Sequence, residues 1–356
     1  MLAACGQSAP DASHRARSAP ASSPPVTSGP HAKETVRDVS YGSDPLQRLD
    51  IYLPAGEGPY PVMMYLHSGG WVAGSHEYIP DFVLDQVDRG IALVAVDYRL
   101  SSRDRVGTPI DAFPVPDQDV DQAIRFVRAH GAAWHLDPDA IVLAGASAGG
   151  HLALLAAAAP GRYVAPDLPA DLRDVSPRVQ GVMAFVAPSD MVAFIAEDMD
   201  FAEIPASMFL ACPLFDTASC DTGRAAEASP ATHLDPGAPP AYFEYGAQDT
   251  LAPVATQGLP IAAAWAAARG EPLGTEPSST APVQLHVEAA GHNLDRGTVD
   301  LPDLEAWLDS VLAARSADSL AVERARVRTA GVATVLRVLS PHQSARQRPP
   351  SKQAIS

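Results

Sequence analysis

The chain has 356 residues, 47% of them hydrophobic, and a formal charge of −17 at neutral pH. That is enough apolar material for one large core or two modest ones, and so acidic a chain is a poor partner for nucleic acid or an anionic surface. No run of eighteen or more apolar residues occurs, so the sequence offers no membrane-spanning helix.

An ordered domain is expected from residue 33 to about residue 315. Glu34 to Ser40 and Gln47 to Leu53 read as edge strands joined by the turn Gly42 to Pro45. Pro61 to Leu66 is a short buried strand, and Tyr78 to Arg89 has helical spacing that stops at Gly90. Ile91 to Val96 is the most hydrophobic strand. Pro116 to His130 reads as an amphipathic helix with Val120, Ile124 and Val127 on one face. A strand at Ala140 to Ala144 leads through a small-residue turn into a helix from His151 to Ala159, and Val182 to Val186 is another buried strand. Ala241 to Tyr245 and Val283 to Val287 are strands; Val254 to Arg269 and Asp303 to Ala314 are helices. Strands alternating with helices predict a single α/β domain, a mostly parallel sheet flanked by helices. Between Asp190 and Pro239 the pattern breaks, and so long an irregular connection reads as a lid-like insertion. Its Met191, Phe194, Phe201, Met208, Phe209 and Phe215 either line an apolar pocket or pack onto the domain.

The turn is Gly145-Ala146-Ser147-Ala148-Gly149. A strand-turn-helix of this kind can hold a serine in a strained conformation with its Oγ clear of the sheet, and the flanking glycines leave room for the tight crossing. A serine hydroxyl needs a base to take its proton, and the base needs a carboxylate to hold its tautomer. Asp249 and His292 follow in the required order, each just past a strand, at the sheet edge where open α/β folds place their sites. The loop His67-Ser68-Gly69-Gly70-Trp71 follows another strand, and the amides of Gly69, Gly70 and Ala148 are the expected donors to an oxyanion.

Together with Val96-Asp97-Tyr98-Arg99-Leu100 and Ala228-Ser229-Pro230-Ala231-Thr232, these motifs resemble the carboxylesterase branch of the α/β-hydrolases. The resemblance is to the hormone-sensitive-lipase-like and BD-FAE (feruloyl-esterase-like) groups, and it covers about Thr35 to Ala314. It implies Ser147 as nucleophile, Asp249 as acid and His292 as base. Ser68 stands where those groups usually carry the first of three glycines, so its backbone must avoid positive φ. The implied function is hydrolysis of a small-molecule or carbohydrate-linked carboxylic ester through an acyl-enzyme. The alternatives are an amidase or aryl-formamidase of the same fold, and a surface-anchored binding module without turnover.

Other residues compete for roles. Asp190 is the second candidate for the acid. His286, His151 and His67 read as packing or loop-stabilising histidines, and Asp97 and Arg99 as buried partners, since an unpaired buried charge is costly. Trp71 either walls the acyl pocket or anchors its loop. No C-x-x-C, H-E-x-x-H or glycine-rich phosphate loop is present, so no metal and no cofactor is expected.

The two ends differ from the domain. Leu2-Ala3-Ala4-Cys5-Gly6 resembles a bacterial lipoprotein box with Cys5 as the lipidated residue, although the charged and apolar leader regions are missing. The Ser/Pro/Ala-rich stretch to residue 32 reads as a disordered tether. Export to a membrane-anchored, periplasmic or extracellular setting is the expectation, with a cytoplasmic location as the alternative. From residue 316 to 356 the chain carries a net +5 against −22 for the rest, and its final part reads as disordered. Cys212 and Cys220 are either a disulfide, if the compartment oxidises, or two free thiols.

Overall fold

The computed structural model describes residues 34–197, 203–214 and 216–314. Cys5 and its tether, Phe201, Phe215 and the basic tail lie outside the described residues.

Nine strands form one sheet: β1 (Glu34–Ser40), β2 (Arg48–Leu53), β3 (Tyr60–Leu66), β4 (Ala92–Val96), β7 (Leu136–Ala146), β8 (Gly181–Phe185), β9 (Ala241–Gly246), β10 (Leu273–Gly274) and β11 (Val283–Glu288). A separate two-stranded ribbon pairs β5 (Ser102–Arg103) with β6 (Pro109–Ile110). The spatial order of the large sheet is β1-β2-β4-β3-β7-β8-β9-β11-β10. Only β2 runs antiparallel to its neighbours; the remaining pairs are parallel, as the alternating elements predict. Central strands β4 and β8 are apolar and buried along their whole length because helices cover both faces. Helices α2 (Val115–His130), α3 (Ala148–Ala158) and α7 (Leu259–Arg269) put Ile124, Leu152 and Trp265 into the core of one face. On the other face α1 (Asp81–Leu84) and the closing helix α8 (301–314) bury Phe82, Leu304 and Trp307.

Four expectations need correcting. Gln47 to Leu53 is not an edge strand: β2 pairs with β1 on one side and β4 on the other, so β1 alone forms this edge of the sheet. Helix from Tyr78 to Arg89 is confined to α1 and a 3₁₀ turn, Asp85–Arg89. Pro80 disfavours helical backbone at the residue before it, which delays the start, while Gly90 ends the element at φ 90°, as expected. The helix expected from Val254 begins as a π-helical turn, Val254–Gly258; Pro260 has no N–H to continue a regular α-helical ladder there. The segment from Asp190 to Pro239 is not wholly irregular. Among its described residues it holds three short α-helices, α4 (Met191–Ala196), α5 (Glu203–Phe209) and α6 (Thr222–Glu227). Among the described residues no helix is long and apolar enough to cross a membrane.

Candidate active site

Ser147 sits between the last residue of β7 and the first of α3, at φ 53° and ψ −121°. A side chain rarely tolerates positive φ, so the surroundings must hold it. They do so through two main-chain bonds: Ser147 N–H donates to Phe185 O at 2.8 Å, and its carbonyl accepts from His151 N–H at 3.0 Å. The glycines are sterically required. A Cβ on Gly145 would lie 2.4 Å from the backbone of Gly149, and one on Gly149 would lie 2.1 Å from the Leu66 carbonyl oxygen.

The other two side chains expected at this point arrive from β9 and β11. His292 Nε2 lies 2.9 Å from Ser147 Oγ, and His292 Nδ1 lies 2.8 Å from Asp249 Oδ2. The Asp249 carboxylate can only accept, so Nδ1 carries the hydrogen and Nε2 keeps a lone pair facing the serine hydroxyl. Asp249 Oδ1 accepts from the amides of Leu251 and Ala252 at 2.8 and 3.0 Å. Burial pushes this carboxyl up, but the His292 hydrogen bond and the two amides outweigh it and hold Asp249 below the ordinary carboxylate range. The Asp249 side chain is fully buried whereas that of His292 is 20% exposed, so the imidazole alone of this pair faces the cleft.

Gly69 and Gly70 take positive φ, 127° and 59°, and their loop turns inward beside Ser147; both line the same cleft. Ser68 avoids positive φ, as its side chain requires. The loop is closed by Val72 and Ala73 N–H donating to Gly69 O. His67 stabilises it, with Nδ1–H donating to Ser68 O at 2.8 Å and the ring stacked on Tyr98 at 4.2 Å. Trp71 belongs to the rear of this loop. It is 1% exposed, stacks on Phe209 of α5 at 4.7 Å, and also lines the cleft, so it both anchors the loop and walls the pocket.

His151 ties three segments together. The Ala228 carbonyl can only accept, so Nε2–H donates to it at 2.8 Å, and Nδ1 accepts from Trp71 Nε1–H at 3.2 Å. Burial lowers its pKa to about 4, consistent with a neutral ring. Asp190 does not approach His292 in this hydrogen-bond network; its Oδ1 caps α4 by accepting from Val192 and Ala193 N–H. His286 packs in β11, stacked on Tyr242. Arg99 pairs in bidentate fashion with the fully buried Asp119, and Asp97 pairs with His76 at 2.7 Å. Asp119 was not singled out in the sequence, although three aspartates inside an amphipathic helix were a readable signal. Glu244, a carboxyl in the middle of buried β9, was also missed.

The cleft has a volume of about 660 Å³ and is walled mainly by apolar groups, among them Tyr65, Ile79, Phe82, Phe185, Phe194 and Leu294. Among the described residues Glu77 is the one carboxylate that lines it, and no Lys or Arg does. Phe194 both packs in the core and lines the pocket, whereas Met191 and Phe209 are core residues that do not line it. Cys212 and Cys220 form a disulfide, with Cα atoms 4.9 Å apart. Asp38, Asp50 and His76 offer atoms within 4.8 Å of one another, a possible cation geometry. Asp50 Oδ2 already accepts from Arg37 at 2.6 Å and Oδ1 from Asp38 N–H, so an ion-pair network accounts for the group.

A sequence profile of the BD-FAE family matches residues 49–259. A probable carboxylic ester hydrolase, LipM, from Mycobacterium tuberculosis is 29% identical over 232 residues, covering 61% of this chain and 48% of that protein. The esterase LipC of the same organism is 34% identical over 145 residues, 39% of this chain and 34% of that protein. A thermophilic esterase from Thermogutta terrifontis, solved with propionate bound, superposes with a TM-score of 0.53 at 25% identity, over 83% of this chain and 94% of that one. The chain spans about half, or less, of the length of the curated relatives it matches.

Proposed function

Because the chain belongs to the BD-FAE family and has the α/β-hydrolase fold, we propose that it is a serine carboxylesterase. The observation that carries this reading is the unbroken hydrogen-bond line from Asp249 through His292 to Ser147, at 2.8 and 2.9 Å. His292 Nε2 takes the proton as Ser147 Oγ attacks the ester carbonyl, and Asp249 stays ionised to hold the tautomer and support the imidazolium. The amides of Gly69, Gly70 and Ala148 receive the oxyanion of the tetrahedral intermediate. His292 then returns its proton to the leaving alcohol, and water attacks the acyl-enzyme by the same route in reverse.

The mainly apolar cleft, which no Lys or Arg lines among the described residues, favours an uncharged ester, either a small molecule or one carried on a carbohydrate. Ser147→Ala assayed on p-nitrophenyl acetate is the test. A loss of kcat of at least about 10⁴-fold is expected, and turnover retained by the folded variant would discard the assignment. We also infer export, with Cys5 as a lipid anchor. The Cys212–Cys220 disulfide supports an oxidising compartment, and recovery of the protein wholly in the cytoplasmic fraction would overturn it.

A further inference from the structure

We propose that Glu244 is a positioning residue for His292: its carboxyl pins the far end of the loop that carries the histidine, and placing a charge on that carboxyl releases the loop. The inference rests on the reading of His292 as the general base.

The loop from residue 289 to 300 is clamped to β9 and its extension at both ends. At its start Ala247 and Gln248 N–H donate to the carbonyls of Glu288 and Ala290, at 2.7 and 2.8 Å. At its end Asp300 N–H donates to Glu244 Oε1 at 3.2 Å. Asp300 is also where α8 begins: its carbonyl accepts from Leu304 N–H and its Oδ1 from Asp303 N–H. One side chain thus reaches the junction between the histidine loop and the closing helix, which buried Val299, the Arg296–Asp85 ion pair and the Ser278 amide on Asp303 hold from other sides.

Glu244 is 0% exposed, and its Oε2 and the neighbouring Tyr242 hydroxyl are both buried without a hydrogen-bond partner at ordinary distance among the described residues, although the two groups act on each other electrostatically. An ionised carboxylate left half-solvated in this way is costly, whereas a protonated one is tolerable. The groups around it reinforce this. Tyr242 shares its strand, Glu288 and His286 come from β11, and Asp300 and Asp303 come from the start of α8. None is a permanent cation, and among the described residues no Lys or Arg pairs with Glu244. Burial first, and the charges of Glu288 and Asp300 after it, push the Glu244 carboxyl up to about 8, against the pull of the Asp300 amide and the Tyr242 hydroxyl. When the proton leaves to solvent, the new charge strengthens the bond from the Asp300 amide but faces the carboxylates of Asp300 and Glu288 in a buried site, and burial together with this repulsion outweighs the amide. The favourable response is for the Asp300 junction to move outward, carrying the end of the histidine loop.

The experiment is the pH profile of kcat/KM on p-nitrophenyl acetate between pH 6 and 10 for the full chain, Glu244→Gln and Glu288→Gln, each normalised to its own value at pH 7. Gln keeps the acceptor for Asp300 and cannot ionise. The native profile should fall about tenfold per pH unit above about pH 8, and the falling limb of Glu244→Gln should lie at least one unit higher. Glu288→Gln, on the accessible flank, removes a repulsive neighbour and should move the native limb to lower pH. It remains measurable even where the first variant folds poorly. Turnover by Ser147→Ala would sink the hydrolase reading itself. With Ser147→Ala inactive, an alkaline limb that stays put in both carboxyl variants sinks this inference alone.

Discussion

The central sheet and the segment from Asp190 to Pro239 are built by different rules. In the sheet, the backbone is satisfied by ladder bonds and Ile141, Leu143, Val182 and Phe243 are wholly buried. The segment's helices have six or seven residues, too short to stand alone. Individual polar contacts and a covalent link hold them. Asp190 and Asp221 cap α4 and α6. Ser229 Oγ accepts from Met191 N–H and donates to Ala225 O. Arg103 donates to the carbonyls of Ser207 and Cys212, and Arg224 to that of Phe113. The groups proposed to perform the chemistry stand on the rigid part, while Phe194 and Pro205, which face the substrate space, stand on the stapled part. Lesions in the first should therefore remove turnover, and lesions in the second should alter substrate affinity and local stability.

The largest separation is expected from Asp249→Asn. Its side chain is replaced at nearly constant volume, yet the imidazole loses the acceptor that fixes its tautomer, so kcat should fall about 10⁴-fold with KM little changed. Equal losses in stability and turnover would mean that Asp249 acts chiefly as a structural acceptor for Leu251 and Ala252. Gly149→Ala is the next test. The added methyl meets backbone at Leu66 and His67, with no flexible side chain able to yield. Destabilisation of about 3 kcal/mol or more is expected, read from the urea midpoint.

Replacing both cysteines, Cys212→Ser with Cys220→Ser, probes the stapled part. Closing so short a loop constrains the unfolded chain by about 2.5 kcal/mol. The loss should be seen as faster proteolysis within the segment and a raised KM, with kcat nearly preserved. A large fall in kcat would show that the two regions are not separable. Phe209 is the route by which such coupling would travel, since its ring stacks on Trp71 in the loop that carries Gly69 and Gly70.

The same contrast explains what could be read from the residues alone. The central strands of the sheet were legible because they are buried on both faces and bounded by turn formers, and Ser147, Asp249 and His292 because each follows such a strand; the half-buried, two-residue β10 was too short to show a pattern. The helices of the insertion were not legible: they lack the two or more turns over which a 3.6-residue period emerges. Proline also hid boundaries, shortening the element expected at Tyr78 and converting the start of the one at Val254. Glu244 and Asp119 went unnoticed because buried carboxyls acquire meaning only from the groups they face, and those lie 56 and 20 residues away in Asp300 and Arg99.

Acidification should distinguish the two regions by which one lets go first. His151 binds the insertion to α3 through Ala228, and its folded pKa is about 4, below the 6.5 of an unperturbed histidine. Between those values the unfolded chain takes up a proton that the folded one refuses, so the stability contributed by the neutral ring is present above pH 6.5 and lost as pH falls. By pH 5 the loss amounts to about 2 kcal/mol. Asp249 follows in a lower window: its folded pKa is depressed below 3.8, so its contribution disappears only under more acid conditions. Protease cleavage within the insertion should therefore rise between pH 6.5 and 4 while the sheet remains intact. His151→Gln, which cannot take up the proton, should flatten that rise. An unchanged acid response in this variant would move the weak point elsewhere, and cleavage of sheet and insertion in a single step would mean that the staples make one cooperative unit of the two.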